Sequence, residues 1–245
     1  MNNEEMRRNE IKQFNIAEVI LYHLLPGVPI LLFAILFANP NWGFGAPILL
    51  AIMFAIVFGL IPVQLLIIHL AAKRQGKKFK EMISFTEKTP PIKFILWSVI
   101  CFLIAGLMFT FFSGVEHFLW RSFSLMPDWL RLDKYSMDGS NVGILWLTVA
   151  MNFIFNGILG PVTEELYFRG FLLPRMNKFG KSAPLINTIL FSLYHFFSPW
   201  EIVTRILSFL PIAYTVWSKK NIRIGIAIHC SMNLIGCIGM IVAAS

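Results

Sequence analysis

The sequence is poor in charged residues. Only 14% of its 245 residues are charged, while 57% are hydrophobic and 24 are phenylalanine. A soluble domain carries about a quarter charged residues, so this composition excludes that class and predicts a polytopic membrane protein. The net charge of +8 then indicates a basic cytoplasmic face next to anionic lipid. No long Lys/Arg tract with interleaved aromatic residues occurs, so we expect no nucleic-acid partner.

Cysteine is also scarce. The three residues Cys101, Cys230 and Cys237 lie in apolar segments and form no CxxC pair, which argues against a disulfide framework. Cysteine in such segments usually behaves as a small buried hydrophobe. Cys230 adjoins a histidine and could instead be a nucleophile, but the usual burial of cysteine favours the structural interpretation.

Several motifs of other membrane enzymes are missing. The sequence contains no HExxH helix for a zinc protease, no GxSxG serine and no GxGD motif of intramembrane aspartyl proteases. It also lacks a Walker A motif and a dinucleotide fingerprint. The chemistry of the protein must therefore be sought in other polar residues.

What the sequence has instead is a series of apolar segments. Seven of them are predicted as membrane spans: 17–39, 44–72, 92–113, 142–174, 184–199, 201–217 and 222–243. An eighth is added if 117–131 enters the bilayer. The predicted fold class is all-α, a polytopic transmembrane helix bundle of about seven to eight spans with an intramembrane polar cavity. Residues 1–140 would supply N-terminal spans, a basic loop and an interfacial segment, and residues 141–245 the functional core of a single integrated membrane domain.

Loop charges predict the orientation of this bundle. The basic loops are 73–80, 175–181 and 219–223, and they alternate with turns that carry almost no positive charge. Short basic loops remain in the cytoplasm. The pattern therefore predicts an integral membrane protein whose N-terminus is cytoplasmic.

The stretch GPVTEELYFRG places three ionisable residues inside an apolar run. Such residues cost about 2.5–3.5 kcal/mol each on insertion scales and usually face a partner or a water cavity. Glu165 and Arg169 are four residues apart and can pair on one helix face. Glu164 lies about 140° away from Arg169 around a helix, so it lacks that partner. A packing ion pair is the alternative interpretation of this stretch, but it leaves Glu164 unexplained. We therefore expect Glu164 to be functional.

Further polar residues occur in the next spans. Asn187, Phe191 and His195 recur every four residues and share a face, as do His229 and Asn233 in the last span. These residues and Glu164 also lie at similar depths in the membrane. Counted from the predicted cytoplasmic ends of their spans, the depths of Glu164, His195, His229 and Asn233 are roughly 9–16 Å. Each could be hydrogen-bonded inside a bundle. Together they could form a site in which His229 and Asn233 hold a developing oxyanion.

These residues carry a resemblance. EELYFR matches an EExxxR motif, FSLYH matches FxxxH, and HCSMN matches HxxxN, in that order over about residues 145–240. This set resembles the CAAX-protease and bacteriocin-processing family, also called the Abi or CPBP family, which includes the Ras-converting CAAX endopeptidases. The resemblance implies an all-helical intramembrane endopeptidase whose cavity opens toward the cytoplasm.

The resemblance also implies a role for each residue. Glu164 would activate the hydrolytic water with help from His195, while His229 and Asn233 would stabilise the oxyanion. Glu165 and Arg169 would support the site, although the residue that corresponds to Glu165 is treated as essential in parts of the family.

The same residues allow a zinc version. Glu164, His195 and His229 could hold the metal with a fourth position open for water, and Glu165 could then be the base. The family is often classed as metalloprotease, so the cofactor stays open, with zinc as the candidate. Asn233 favours water activation by Glu164, because an amide is a poor zinc ligand and a good donor.

Two other classes of function remain. One is a non-catalytic membrane scaffold or regulator, although a pure scaffold need not retain Glu164 and both histidines. The other is a transporter that uses Glu164 as a proton site, which the absence of an inverted repeat weakens. The expected partners of a protease are the lipid bilayer and a membrane-embedded or lipidated peptide. Prenylated CAAX tails, pheromone precursors, bacteriocin leaders and membrane-protein remnants all fit.

Overall fold

The computed structural model describes residues 11–41, 43–122, 127, 129 and 141–244, and most of these residues are helical. No β-strand occurs among these residues. The helices are α1 (Ile16–Ala38), α2 (Ile48–Arg74), α3 (Pro91–Ser122), α4 (142–172), α5 (Ala183–Leu193), α6 (Ile202–Lys219) and α7 (Ile222–Ala244). The predicted all-α class is confirmed.

Five stretches of the described chain are long and apolar enough to cross a membrane: Ile16–Ala38, Ile48–Arg74, Pro91–Ser122, Val142–Leu193 and Ile222–Gly239. They support an integral membrane protein. Helix α5 has 11 residues and is only about 16 Å long at 1.5 Å per residue, half of the ~30 Å hydrocarbon core. The count of seven to eight spans therefore stays a prediction. The predicted interfacial segment lies mostly outside the described residues. Of the possible eighth span, residues 117–122 belong to α3, and residues 123–126, 128, 130 and 131 are outside the described part of the chain.

Three π-helical segments widen the helices of the described chain, and each precedes a proline. Ile56–Leu60 is followed by Pro62, Asn152–Leu159 by Pro161 and Glu165–Leu172 by Pro174. Proline has no N–H, and its ring clashes with the carbonyl four residues earlier, so a wider turn relieves the clash. Such turns are frequent at functional sites. Two of them flank the short α-helical segment Gly160–Glu164.

Helix α4 is the central helix of the bundle. Its segment Glu165–Leu172 packs against α1, α2, α5, α6 and α7. Helix α3 is peripheral: it packs on α6 and α7, buries only Cys101 and Ala105, and exposes apolar side chains such as Phe111 (79% exposed). The exposed apolar surface of α3 is suited to lipid contact.

The three basic loops meet at one end of the bundle. The Ser84 amide donates to the Gly170 carbonyl at 2.9 Å, and the Glu87 amide donates to the Lys220 carbonyl at 2.9 Å. Arg175 Nη1 donates to the Met82 carbonyl at 3.2 Å. We call this the basic end, formed by residues 73–90, 173–182 and 219–221. The opposite distal end comprises residues 39–41, 43–47, 116–122 and 194–201.

Candidate active site

Glu164 is the last residue of the α-helical segment between the two π segments of α4. It is 5% exposed, and its two carboxylate oxygens face different histidines. Oε1 lies 3.7 Å from His195 Nε2, and Oε2 lies 3.6 Å from His229 Nε2. The structure therefore brings together three residues that are far apart in the sequence.

Glu165 lies in a different environment from its neighbour. It is fully buried, and its Oε1 is 3.2 Å from Arg169 Nη1 and 3.1 Å from His229 Nδ1. The predicted pairing of Glu165 with Arg169 is thus present, and the same carboxylate also holds the inner side of His229. Helix α7 approaches closely here because Gly225 has no side chain: a Cβ at this position would collide with the Glu165 carboxylate.

His195 follows the C-terminus of α5 and has a fixed ring orientation. Its Nδ1 lies 2.8 Å from the Phe191 carbonyl. Since a carbonyl only accepts, Nδ1 carries the hydrogen in the neutral ring, and Nε2 is left as an acceptor facing Glu164. Asn187 shares the predicted face but does not reach the site. Its amide donates to the Phe168 carbonyl at 3.0 Å and contacts His23 Nε2 at 2.9 Å.

Asn233 lies one turn after His229 on α7 and is held by α4. Its Nδ2 donates to the Asn156 carbonyl at 2.8 Å. A second contact, to Asn156 Oδ1, is 3.4 Å long, beyond the usual ~2.7–3.2 Å of a hydrogen bond. One N–H of the Asn233 amide is therefore firmly engaged, and the other is only weakly held.

Phe191, the aromatic residue of the FxxxH motif, packs between charged and titratable groups. The Arg169 guanidinium lies over its ring at 4.1 Å from the centroid, a cation–π contact. The same ring meets His195 edge-on, with centroids 5.1 Å apart. Phe191 thus connects the buried Glu165–Arg169 pair to the histidine that faces Glu164.

A cavity of about 820 Å³ lies beside these residues, within the range of ~300–1,000 Å³ for ligand sites. Its wall includes all four predicted catalytic residues, namely Glu164, His195, His229 and Asn233. The predicted supporting residues, Glu165 and Arg169, are not in the wall. The cavity extends from Glu164 toward the distal end.

The cavity wall contains polar residues that the sequence analysis missed. Arg205 is 6% exposed, donates to Ser198 Oγ at 2.8 Å and pairs with Glu201. All three residues line the cavity, as does Tyr194, whose hydroxyl has no hydrogen-bond partner among the described residues. The i,i+4 spacing of Glu201 and Arg205 in an apolar run was a usable signal, of the same kind as Glu165 and Arg169.

The residues considered for zinc do not form a metal site as they are placed. Zinc ligands lie about 2.0–2.2 Å from the ion and must converge on one point. Here Glu164 meets the two imidazoles through different oxygens. No group of three His, Cys, Asp or Glu side chains within the described ranges has an arrangement that could hold a metal ion.

The fold and this site define a class: a helical integral membrane protein with buried carboxylates and histidines around an internal cavity. Comparison with known families is more specific. Residues 144–235 match the model of the type II CAAX prenyl endopeptidase Rce1-like family, and this match includes all three motifs. This part of the chain is therefore similar to the Rce1-like family, and the resemblance to the CAAX-protease and bacteriocin-processing family is confirmed.

A curated relative gives a similar result. The UPF0177 protein YxdF of Lactococcus lactis subsp. lactis (strain IL1403) is 43% identical over 83 residues, which are 33% of this chain and 45% of that protein. The chain thus matches less than half the length of this relative. No solved structure matches the chain.

Proposed function

We propose that the protein is an intramembrane endopeptidase that hydrolyses a peptide bond of a membrane-associated or lipidated peptide. Glu164 acts as general base, with His195 as its partner, and His229 and Asn233 stabilise the oxyanion. The N-terminus is cytoplasmic. The observation that carries the proposal is the convergence of one carboxylate and two imidazoles, 3.6 and 3.7 Å apart, on the wall of a single cavity.

The gap between Glu164 and His195 suits a bound water molecule. A separation of 3.7 Å is too long for a direct hydrogen bond but lets one water lie about 2.8 Å from both atoms. Both atoms are acceptors, because His195 Nδ1 donates its hydrogen to the Phe191 carbonyl. The water would therefore present its hydrogens to Glu164 and His195 and direct a lone pair at the substrate carbonyl.

His229 and Asn233 supply the complementary donors. His229 Nδ1 faces the Glu165 carboxylate, so Nε2 donates to an oxyanion only when both ring nitrogens carry hydrogen. Asn233 contributes its weakly held N–H, the one 3.4 Å from Asn156 Oδ1. Donors fixed before the reaction stabilise the charge that develops during it.

Proton transfer closes the reaction cycle. Glu164 takes a proton from the water as the C–O bond forms, and then returns it to the nitrogen of the leaving amine as the C–N bond breaks. The carboxylate is regenerated, and water supplies the hydroxyl of the new acid and the hydrogen of the new amine. The scheme requires no group other than the four side chains.

Cleavage by the purified protein in detergent tests this function. A panel of apolar peptides with central fluorogenic reporters is incubated with wild type and with Glu164→Gln prepared in parallel, so that contaminating proteases appear equally in both. We expect cleavage by wild type alone. Equal cleavage by both preparations, or none by wild type across the panel, would contradict the proposal and favour a scaffold.

A further inference from the structure

The cavity occupies one half of the bundle. Toward the basic end, the last lining residue on each helix is Leu60 on α2, Phe102 on α3, Glu164 on α4, Phe191 on α5, Phe209 on α6 and His229 on α7. On every helix, the remaining lining residues lie toward the distal end. Glu164 and His229 thus form the floor of a cavity that extends away from the basic loops.

The other half of the bundle is closed. Residues 167–176 of the central helix and the turn that follows it are all buried. Tyr167, Phe168 and Leu172 have no exposed surface, and none of this segment lines the cavity. Within the described ranges, a peptide at the basic end therefore meets packed side chains between itself and Glu164.

Charge distinguishes the two ends of the molecule. The loops 73–80, 175–181 and 219–223 contain eleven Lys and Arg residues, whereas residues 39–47 and 194–201 at the distal end contain none. The connection 121–140 carries three residues of each sign. An excess of Lys and Arg marks cytoplasmic loops, so the distal end faces the other side of the membrane.

The cavity wall has two chemical characters. The α2 side is apolar and includes Leu49, Ile52 and Met53, while the distal ends of α3 and α6 add Glu116 and the Arg205–Glu201 pair. An apolar peptide segment with a polar or charged flank fits such a wall, with the flank directed toward the distal end.

We propose that substrates reach Glu164 from the extracytoplasmic side. The substrate class is an exported peptide, or the outer part of a membrane-inserted peptide, rather than a lipidated tail on the cytoplasmic face. This inference rests on the proposed function for its reaction, but its direction comes from the cavity wall and the loop charges alone.

Labelling of matched cysteines tests the direction. In a chain whose three native cysteines are replaced by alanine, Ser113→Cys reports the cavity and Ser182→Cys the basic end; both serines are exposed, and Ser113 lines the cavity. Intact cells are treated with a membrane-impermeant maleimide, before and after permeabilisation. We expect Ser113→Cys to react in intact cells and Ser182→Cys only after permeabilisation. The reverse pattern would overturn the proposal.

A second measurement tests the route itself. The two purified cysteine variants are coupled to a bulky maleimide in detergent, and peptide cleavage is compared with that of the uncoupled proteins. We expect the adduct at position 113 to lose cleavage and the adduct at 182 to retain it; the opposite result would place the route at the basic end. If the uncoupled variants and wild type all fail to cleave, the proposed function has failed, while the labelling pattern still decides the side that the cavity faces.

Discussion

The two halves of the bundle meet between Glu164 and Glu165, and each half holds one of these two carboxylates in a different environment. Glu165, on the packed side, contacts both Arg169 and His229 at 3.1–3.2 Å. Glu164, on the cavity side, is 3.6–3.7 Å from its two histidines. Burial of a charge is costly unless it is paired. The packed half satisfies its carboxylate with a permanent partner, whereas the cavity half holds Glu164 close to partners without engaging it.

We therefore expect residues of the packed half to stabilise the fold and residues of the cavity half to take part in the proposed reaction. Side chains of the packed half make their contacts inside the protein: Asn187 Nδ2 contacts the Phe168 carbonyl and His23, and Arg169 pairs with Glu165. Those of the cavity half, such as His195 and Asn233, are each anchored on one side and present the other side to the cavity. Substitutions on the two sides of the boundary should therefore fail in different ways.

The largest effect is expected from Glu164→Gln. Loss of a general base reduces kcat by about 10²–10⁴-fold. The melting temperature should change little, because the amide has nearly the same shape and Glu164 makes no direct hydrogen bond to either histidine at 3.6 and 3.7 Å. Thermal melts and kcat in the same detergent check this, with the exposed Glu87→Gln as the control. Near-wild-type turnover by Glu164→Gln would remove the proposed base.

Asn233→Ala should produce the next largest loss. Removal of one oxyanion donor costs about 10²–10³-fold in kcat, with little change in KM. The variant also loses its hydrogen bond to the Asn156 carbonyl, worth about 0.5–1.5 kcal/mol, so a small drop in melting temperature is expected.

The control for Asn233 is Asn187→Ala in the packed half. This change leaves the buried His23 Nε2 without its contact and removes one of the two hydrogen bonds to the Phe168 carbonyl. It should therefore lower the melting temperature more than Asn233→Ala while the folded fraction retains its kcat. If both asparagine variants lose stability and activity in the same proportion, the two halves are not functionally distinct.

Glu165→Gln should affect both properties. Breaking a buried ion pair costs about 3–5 kcal/mol, because Arg169 is left without its carboxylate. His229 also loses the carboxylate that its Nδ1 contacts at 3.1 Å. We expect a lower melting temperature together with reduced kcat. A variant that melts like wild type yet is inactive would make Glu165 a chemical residue and would move the boundary between the halves.

Much of this division was predictable from sequence, because helical geometry is local. The i,i+4 spacing of Glu165 and Arg169 predicts their pair, and the 140° offset leaves Glu164 apart. The direction of the cavity was not predictable, since it depends on which side of Glu164 the neighbouring helices fill. Asn187 shows the same limit: its spacing places it on the face of His195, but packing against α1 directs its amide to His23.

A smaller effect is expected from Gly225→Ala, which acts on Glu165 from the facing helix. The new Cβ would collide with the carboxylate and lie 3.0 Å from Val216 Cγ2; overpacking of this kind costs about 1–3 kcal/mol. The control is Gly239→Ala on the same helix, where a Cβ meets nothing within 4 Å and the better helix propensity of alanine could add up to about 1 kcal/mol. Thermal melts should therefore shift in opposite directions, and equal shifts would argue against the close approach of α7 to Glu165.

The smallest effect is expected from metal removal. Glu164 faces His195 and His229 through separate oxygens, and Asn233 adds a donor rather than a ligand, so the cavity half can supply its base and its oxyanion donors from side chains alone. Pure protein should keep its kcat after chelation and dialysis, while elemental analysis before and after the treatment records any bound metal. A zinc protease chelated under the same conditions serves as the control for effective removal. One zinc per chain, with activity lost on chelation and restored by zinc, would show that Glu164 and the two histidines converge on an ion, and Glu165 would then replace Glu164 as the candidate base.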